Sequence, residues 1–204
     1  MLDGNRSRTT ARTLSAGLLG GFALGLVARA WMRLIAEEPE FTWNGSAFIV
    51  GGFATFGLTQ AIVAEARRRN LQRAKLTAFR VIGGIGMLPL FGAAGSLMLP
   101  TVVGGGLAFA RTDWRKLTRT ICVVVAAGPV FFVGNDLVSS FGWSLRTIIG
   151  FAVMLTIYAT ITLATQFTLA PHADGWRLPR WATITIVIVG SLLFLVPLAI
   201  GGIK

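Results

Sequence analysis

Six stretches of this chain are almost free of charge, and the polar residues fall between them in short clusters. Apolar runs cover 14–35, 46–66, 76–110, 117–138, 145–169 and 181–200. Crossing about 30 Å of hydrocarbon takes roughly 20 apolar residues at 1.5 Å of rise each. Five of the runs therefore read as single crossings. The run over 76–110 holds Arg80 as its only charge; as one helix it would be about 52 Å long, too long for one passage and tight for two. Basic clusters flank it at both ends, and Gly92, Ala93, Ala94, Gly95 and Ser96 interrupt it between Pro89 and Pro100. Proline and glycine both break helices. The expectation is two helices, 76–91 and 96–110, with a re-entrant pair that never leaves the membrane as the rival. The fold class expected is an all-α polytopic transmembrane bundle of seven helices, one domain over residues 1–204.

The flanks orient the bundle. Arg67, Arg68, Arg69, Arg73 and Lys75 crowd one loop, and Arg111, Arg115, Lys116 and Arg119 another. Such clusters mark the cytoplasmic side, which puts the amino terminus inside and the carboxyl terminus outside. Fifteen of the nineteen basic residues then lie inside, leaving Arg29, Arg33, Arg146 and Lys204 outside. Trp31, Trp43, Trp114, Trp143, Trp176 and Trp181 all fall at expected helix ends, where amphipathic rings sit at headgroup level. Arg6, Arg8 and Arg12 before an apolar run, with Ala28-Arg29-Ala30 after it, have the form of a secretory signal. Apolar character resumes at Trp31, Met32, Leu34 and Ile35, however, and that length favours a retained first helix. Gly17, Gly21 and Gly25 give this helix a small-xxx-small face for close packing.

Composition agrees with the pattern: 54% of the 204 residues are apolar, 13% are charged, and the mean hydropathy is +0.71, where soluble domains carry about 25% charged residues. The net charge of +11 comes from clusters at helix ends and does not call for nucleic acid. One cysteine, Cys122, and one histidine, His172, leave Cys- and His-based metal sites without ligands. Every lysine lies at a helix end, so a retinal Schiff base has no place, and no hydrolase or phosphate-loop motif is present. No cofactor is expected.

The candidate chemistry gathers on the expected outer side. Arg29 and Arg33 lie one turn apart, Glu37, Glu38 and Glu40 follow in the first hairpin with Trp43 beyond, and Asp136 and Arg146 flank a second outer turn. One reading makes Arg29, Arg33, Asp136, Arg146, Glu37 and Trp43 a polar vestibule for a ligand, since arginine pairs carboxylate or phosphate bidentately. The other has the arginines paired with the hairpin glutamates, Asp136 capping a turn and Arg146 held at the lipid interface. A second polar set, Thr156, Tyr158, Thr160, Thr162, Thr165 and Gln166, with Thr59 and Gln60 able to face it, reads either as a solute lining or as hydroxyls bonded within and between helices.

The pattern Arg29-x-Trp31-Met32-Arg33-Leu34-Ile35, then Pro39-x-Phe41-x-Trp43-x-Gly45, resembles a stretch shared by small multi-pass inner-membrane proteins of GC-rich bacteria. Sixteen arginines against three lysines suit such a genome. The resemblance implies a bacterial inner-membrane location and, because no activity attaches to that group, carries no catalytic residues. The function expected is binding or transport of a small solute or lipid through the outer polar site. The alternatives are an accessory subunit docking a membrane-protein partner or a second copy through its glycine face and basic loops, and, more weakly, a lipid-modifying enzyme using Asp136 or a hairpin glutamate as base. Membrane lipids are the partners expected in each case.

Overall fold

In the computed structural model, which describes residues 2–36, 42–95 and 97–171, seven helices follow one another: α1 (Leu2–Ile35), α2 (Trp43–Arg68), α3 (Arg73–Ile85), α4 (Leu88–Ala94), α5 (Met98–Ala110), α6 (Lys116–Phe141) and α7 (Leu145–Leu169). No strand occurs among the described residues. Glu37, Glu38 and Glu40, Trp176 and Trp181, and the expected last crossing over 181–200 lie outside them, so these seven helices are not the seven read from the pattern.

Two differences have clear physical causes. The run over 76–110 breaks twice, giving three helices where two were expected. Its second break falls at Gly95, inside the expected interruption, with φ +89, a backbone that L side chains rarely adopt. The first, at Gly86 and Met87, follows from Pro89 at the second position of α4: proline has no N–H for the Ile85 carbonyl, and its ring crowds that group. In addition, α1 begins a dozen residues before its apolar run. Between Asn5 and Thr13 there is neither glycine nor proline to stop it.

Five segments are long and apolar enough to cross a membrane: Arg8–Ile35, Trp43–Arg68, Arg73–Ala93, Lys116–Phe141 and Leu145–Leu169. Large apolar side chains such as Leu19, Leu117, Val124, Phe131 and Leu145 are exposed on the bundle's surface, far beyond the scattered apolar exposure of a water-soluble fold. The chain is a membrane-embedded helical protein.

The bundle has a basic end, where α1, α3 and α6 begin and α2, α5 and α7 finish, and a hairpin end, where α1 and α6 finish and α2 and α7 begin. Gly17, Gly21 and Gly25 face α2, where an added Cβ at Gly17 would stand 2.6 Å from the Gly57 carbonyl oxygen and one at Gly25 2.9 Å from the Val50 Cα. Gly17, Gly21 and Gly25 thus pack on the chain's own second helix. At the basic end the same helix pair is clamped by Glu65, whose carboxylate receives Arg68 Nε at 2.8 Å, Arg69 Nε at 2.8 Å and Thr10 Oγ1 at 2.7 Å.

α5 threads between α6 and α7. Gly104 lets it approach the Cys122 carbonyl of α6, and Gly105 and Gly106 meet Thr162 and Thr165 of α7. Pro129 disturbs the ladder of α6 without ending the helix, and Thr101 Oγ1 donates to the nearby Ala126 carbonyl at 2.8 Å. Part of the polar set of α7 sorts onto the structural reading. Thr156, Thr160 and Thr165 donate to Ala152, Thr156 and Thr162 carbonyls of their own helix, while buried Gln60 bridges the Thr168 hydroxyl and the Gly83 carbonyl at 2.7 and 3.2 Å.

Candidate functional site

The hairpin end holds a cavity of about 240 Å³ among α1, α2, α6 and α7. It exists because α5, at 13 residues, is about 20 Å long against roughly 30 Å of hydrocarbon. Leu97 and Met98 at its start line the cavity, and the space α5 does not occupy stays open above them. Each long helix contributes residues at helical spacing: Ala28, Trp31, Met32 and Ile35 from α1, Val133 and Asp136 from α6, and Met154, Ile157 and Tyr158 from α7, with Phe53 from α2. Positions i, i+3, i+4 and i+7 share one helix face.

Two side-chain groups give this apolar space its chemistry. Asp136 lies five residues before the end of α6, at the mouth, whereas Tyr158 lies thirteen residues into α7 and is buried. Neither the Asp136 carboxylate nor the Tyr158 hydroxyl forms a hydrogen bond or ion pair with a described residue. Trp31 is fixed in place, its Nε1 donating to the Gly150 carbonyl at 2.7 Å. This bond draws α1 against α7 and holds the indole in the cavity wall.

The other sequence candidates take different places. Arg29 and Arg33 sit roughly a third of a turn away from the cavity face of α1. Arg29 Nε donates to Ser46 Oγ near the start of α2 at 3.0 Å, and Arg33 is exposed. Trp43, 80% exposed, opens α2, and Trp143, 84% exposed, precedes α7, as expected of rings at a headgroup layer. Glu37 lies outside the described residues.

Arg146 reaches from the first turn of α7 to the end of α1, donating Nε to the Leu34 carbonyl at 2.6 Å and Nη2 to the Ala36 carbonyl at 3.0 Å, with its guanidinium 4.2 Å from the Phe141 ring. A cation here satisfies carbonyls that a helix end leaves open and complements the helix dipole. Its work is to tie α1 to α7. Arg146→Ala is expected to destabilise the protein by about 1 kcal/mol, read as a lowered thermal midpoint of detergent-purified protein. An unchanged midpoint would place Arg146 outside the packing.

The structure thus brings one of the six candidates, Asp136, into a cavity, and joins it there with Tyr158, which the sequence pattern placed in a different polar stripe. Nothing in spacing alone pairs residues 22 positions apart on two helices. The signal available was a carboxylate near a helix end and a phenol facing the same bundle interior.

Fold and cavity together define a class: a polytopic helical membrane protein with a mainly apolar cavity at one end, to whose lining Asp136 contributes the one carboxylate among the described residues. No protein-family model, curated protein or solved structure matches the chain.

Proposed function

We propose that the protein binds, and moves across the bacterial inner membrane, a small cationic solute that enters through the hairpin-end cavity. The observation that carries this reading is the Asp136 carboxylate, without an ion-pair partner among the described residues, at the mouth of a cavity walled by Trp31, Phe53 and Tyr158. Asp136 is exposed five residues before the end of α6, where an ionised carboxylate can meet a cation arriving from outside the bundle. Aromatic faces attract alkylammonium groups, and a hydroxyl deeper in the cavity offers one oriented hydrogen bond. At about 240 Å³ the space falls below the roughly 300–1,000 Å³ of drug-sized pockets, which favours a small amine or quaternary ammonium.

In this reading the basic end faces the cytoplasm, as the distribution of arginine favours. The amino terminus is inside, the hairpin end faces outward, and the run over 181–200 supplies the last crossing. The arginines of the hairpin end are auxiliary: Arg146 braces the helices that frame the mouth, and Arg29 braces the start of α2.

Binding of tetraethylammonium and of benzylamine to the full chain in nanodiscs tests the proposal. Saturable binding is expected, with Asp136→Asn weakening it at least tenfold, a loss of about 1.4 kcal/mol. Absence of saturable binding by both cations, or equal affinity in Asp136→Asn, would refute it.

A further inference from the structure

The opposite end of the bundle carries a second, differently charged site. Arg111 follows the last turn of α5, its N–H donating to the Leu107 carbonyl at 2.9 Å. It is only 1% exposed. All three of its guanidinium nitrogens are buried, and none has a hydrogen-bond partner among the described residues. The Trp114 ring lies 5.7 Å from its guanidinium carbon, and the Asp113 carboxylate acts on it through space without a hydrogen bond.

Two more arginines converge on the same place. Arg67, at the end of α2, donates to the carbonyls of Phe167, Ala170 and Pro171, at 2.5 Å for Ala170 and 3.2 Å for Pro171. Arg80, from α3, donates Nε to the Thr168 carbonyl at 2.7 Å. The three guanidinium groups lie within electrostatic range of one another. Arg67 spends its donors on the end of α7, whose open carbonyls it satisfies. Arg111 spends none of its side-chain donors on a described residue. Burial holds its guanidinium below the ordinary value, with Asp113 pulling the other way.

A buried, unpaired charge beside two like charges is strongly unfavourable unless something compensates it. Five N–H donors in a planar fork fit an oxyanion with two oxygens to offer. We infer that Arg111, with Arg67 and Arg80 supplying field, is a binding site for a phosphate-type oxyanion at the basic end of the bundle. Two sources share this chemistry: the phosphate of an anionic lipid headgroup, which lies at the depth of these helix ends, and a soluble phosphate. The site is separate from the Asp136 cavity in both position and sign of charge, so either can fail without the other.

Thermal midpoints of the full chain test this in three settings: phosphatidylcholine nanodiscs, the same with phosphatidylglycerol added, and phosphatidylcholine nanodiscs titrated with inorganic phosphate. The wild type is expected to gain several degrees in the second setting if the source is lipid, or in the third if it is soluble. Arg111→Met should abolish that gain and be at least as stable as wild type in phosphatidylcholine alone, because it removes an uncompensated buried charge. Neutralising Arg73 and Lys75, exposed in the first turn of α3, should leave the gain intact. No gain in either anionic setting, or a gain that Arg111→Met retains, would overturn the inference. So would a loss of stability on Asp174→Asn in phosphatidylcholine that matches Arg111→Met, which would assign the anion to the chain itself. Should Arg111→Met not fold, Arg111→Lys keeps the charge without the fork and should need a higher phosphate or phosphatidylglycerol content for the same shift; an unchanged midpoint of titration would equally overturn the site.

Discussion

Gly21→Leu is expected to cost the bundle at least 3 kcal/mol, or to prevent its assembly, whereas Gly20→Leu one position away should be neutral or stabilise by up to about 1 kcal/mol. A Cβ at Gly21 would overlap the Phe53 carbonyl oxygen and stand 3.1 Å from the Cα atoms of Ala54 and Gly57. These are backbone atoms, which cannot rotate away as a side chain can, so α1 and α2 must separate along their length. Overpacking alone costs typically 1–3 kcal/mol. In lipid the loss is compounded, because van der Waals contact rather than water exclusion holds transmembrane helices together. Gly20 has nothing within 4 Å of the same hypothetical atom, and leucine is the better helix former there by up to about 1 kcal/mol. The comparison isolates packing from hydrophobicity, since both variants add the same side chain to the same helix. Unfolding of both proteins in mixed detergent would measure it, and equal stabilities would mean that α1 does not pack on α2 through its glycines.

The second large effect is expected at Arg67. Its guanidinium gathers three carbonyls, of Phe167, Ala170 and Pro171, at the end of α7, and charge-assisted hydrogen bonds contribute about 1.5–3 kcal/mol each when taken singly. They are not additive here, because one side chain makes all three and because removing it also relieves repulsion with Arg80 and Arg111. Arg67→Met, which keeps the stem, is expected to destabilise by about 2 kcal/mol net. Amide exchange should localise the loss, with faster exchange confined to the last two turns of α7. A variant with wild-type stability and wild-type protection there would show that α7 ends without this cap.

What the sequence made legible follows from what each inference requires. Charge-free runs with arginine at their ends need only one-dimensional information, and α2, α6 and α7 appear within a few residues of where the pattern puts them. Gly17, Gly21 and Gly25 announced a close helix contact, although spacing does not say with which helix, and α2 answered it. The split at Gly86 was missed because the apolar character of the run continues through it; Pro89 was the available sign. The amino-terminal extension of α1 was missed because a hydropathy argument stops at the membrane edge and a helix need not.

The site was harder for a different reason. Arg29, Arg33 and Asp136 were grouped by their shared end of the bundle, but grouping by depth ignores the angle around each helix. Arg29 and Arg33 lie on a face turned away from the cavity that Asp136 lines. Glu65 drew no notice, yet it stands three and four residues before Arg68 and Arg69, the spacing at which helical ion pairs form; only the fold adds Thr10 from α1 to it. The buried state of Arg111 had no sequence signal, since it sits in a basic cluster that insertion rules already explain.

The account depends on an occupant in the space bounded by Asp136 and Tyr158. The most direct measurement is a high-resolution density map of the nanodisc-embedded protein with and without tetraethylammonium. The account predicts compact density between the Asp136 carboxylate and the Trp31, Phe53 and Tyr158 rings, present with the cation and absent from Asp136→Asn. A cavity filled by Leu97 and Met98 repacked, or by the same density with and without the cation, would contradict it.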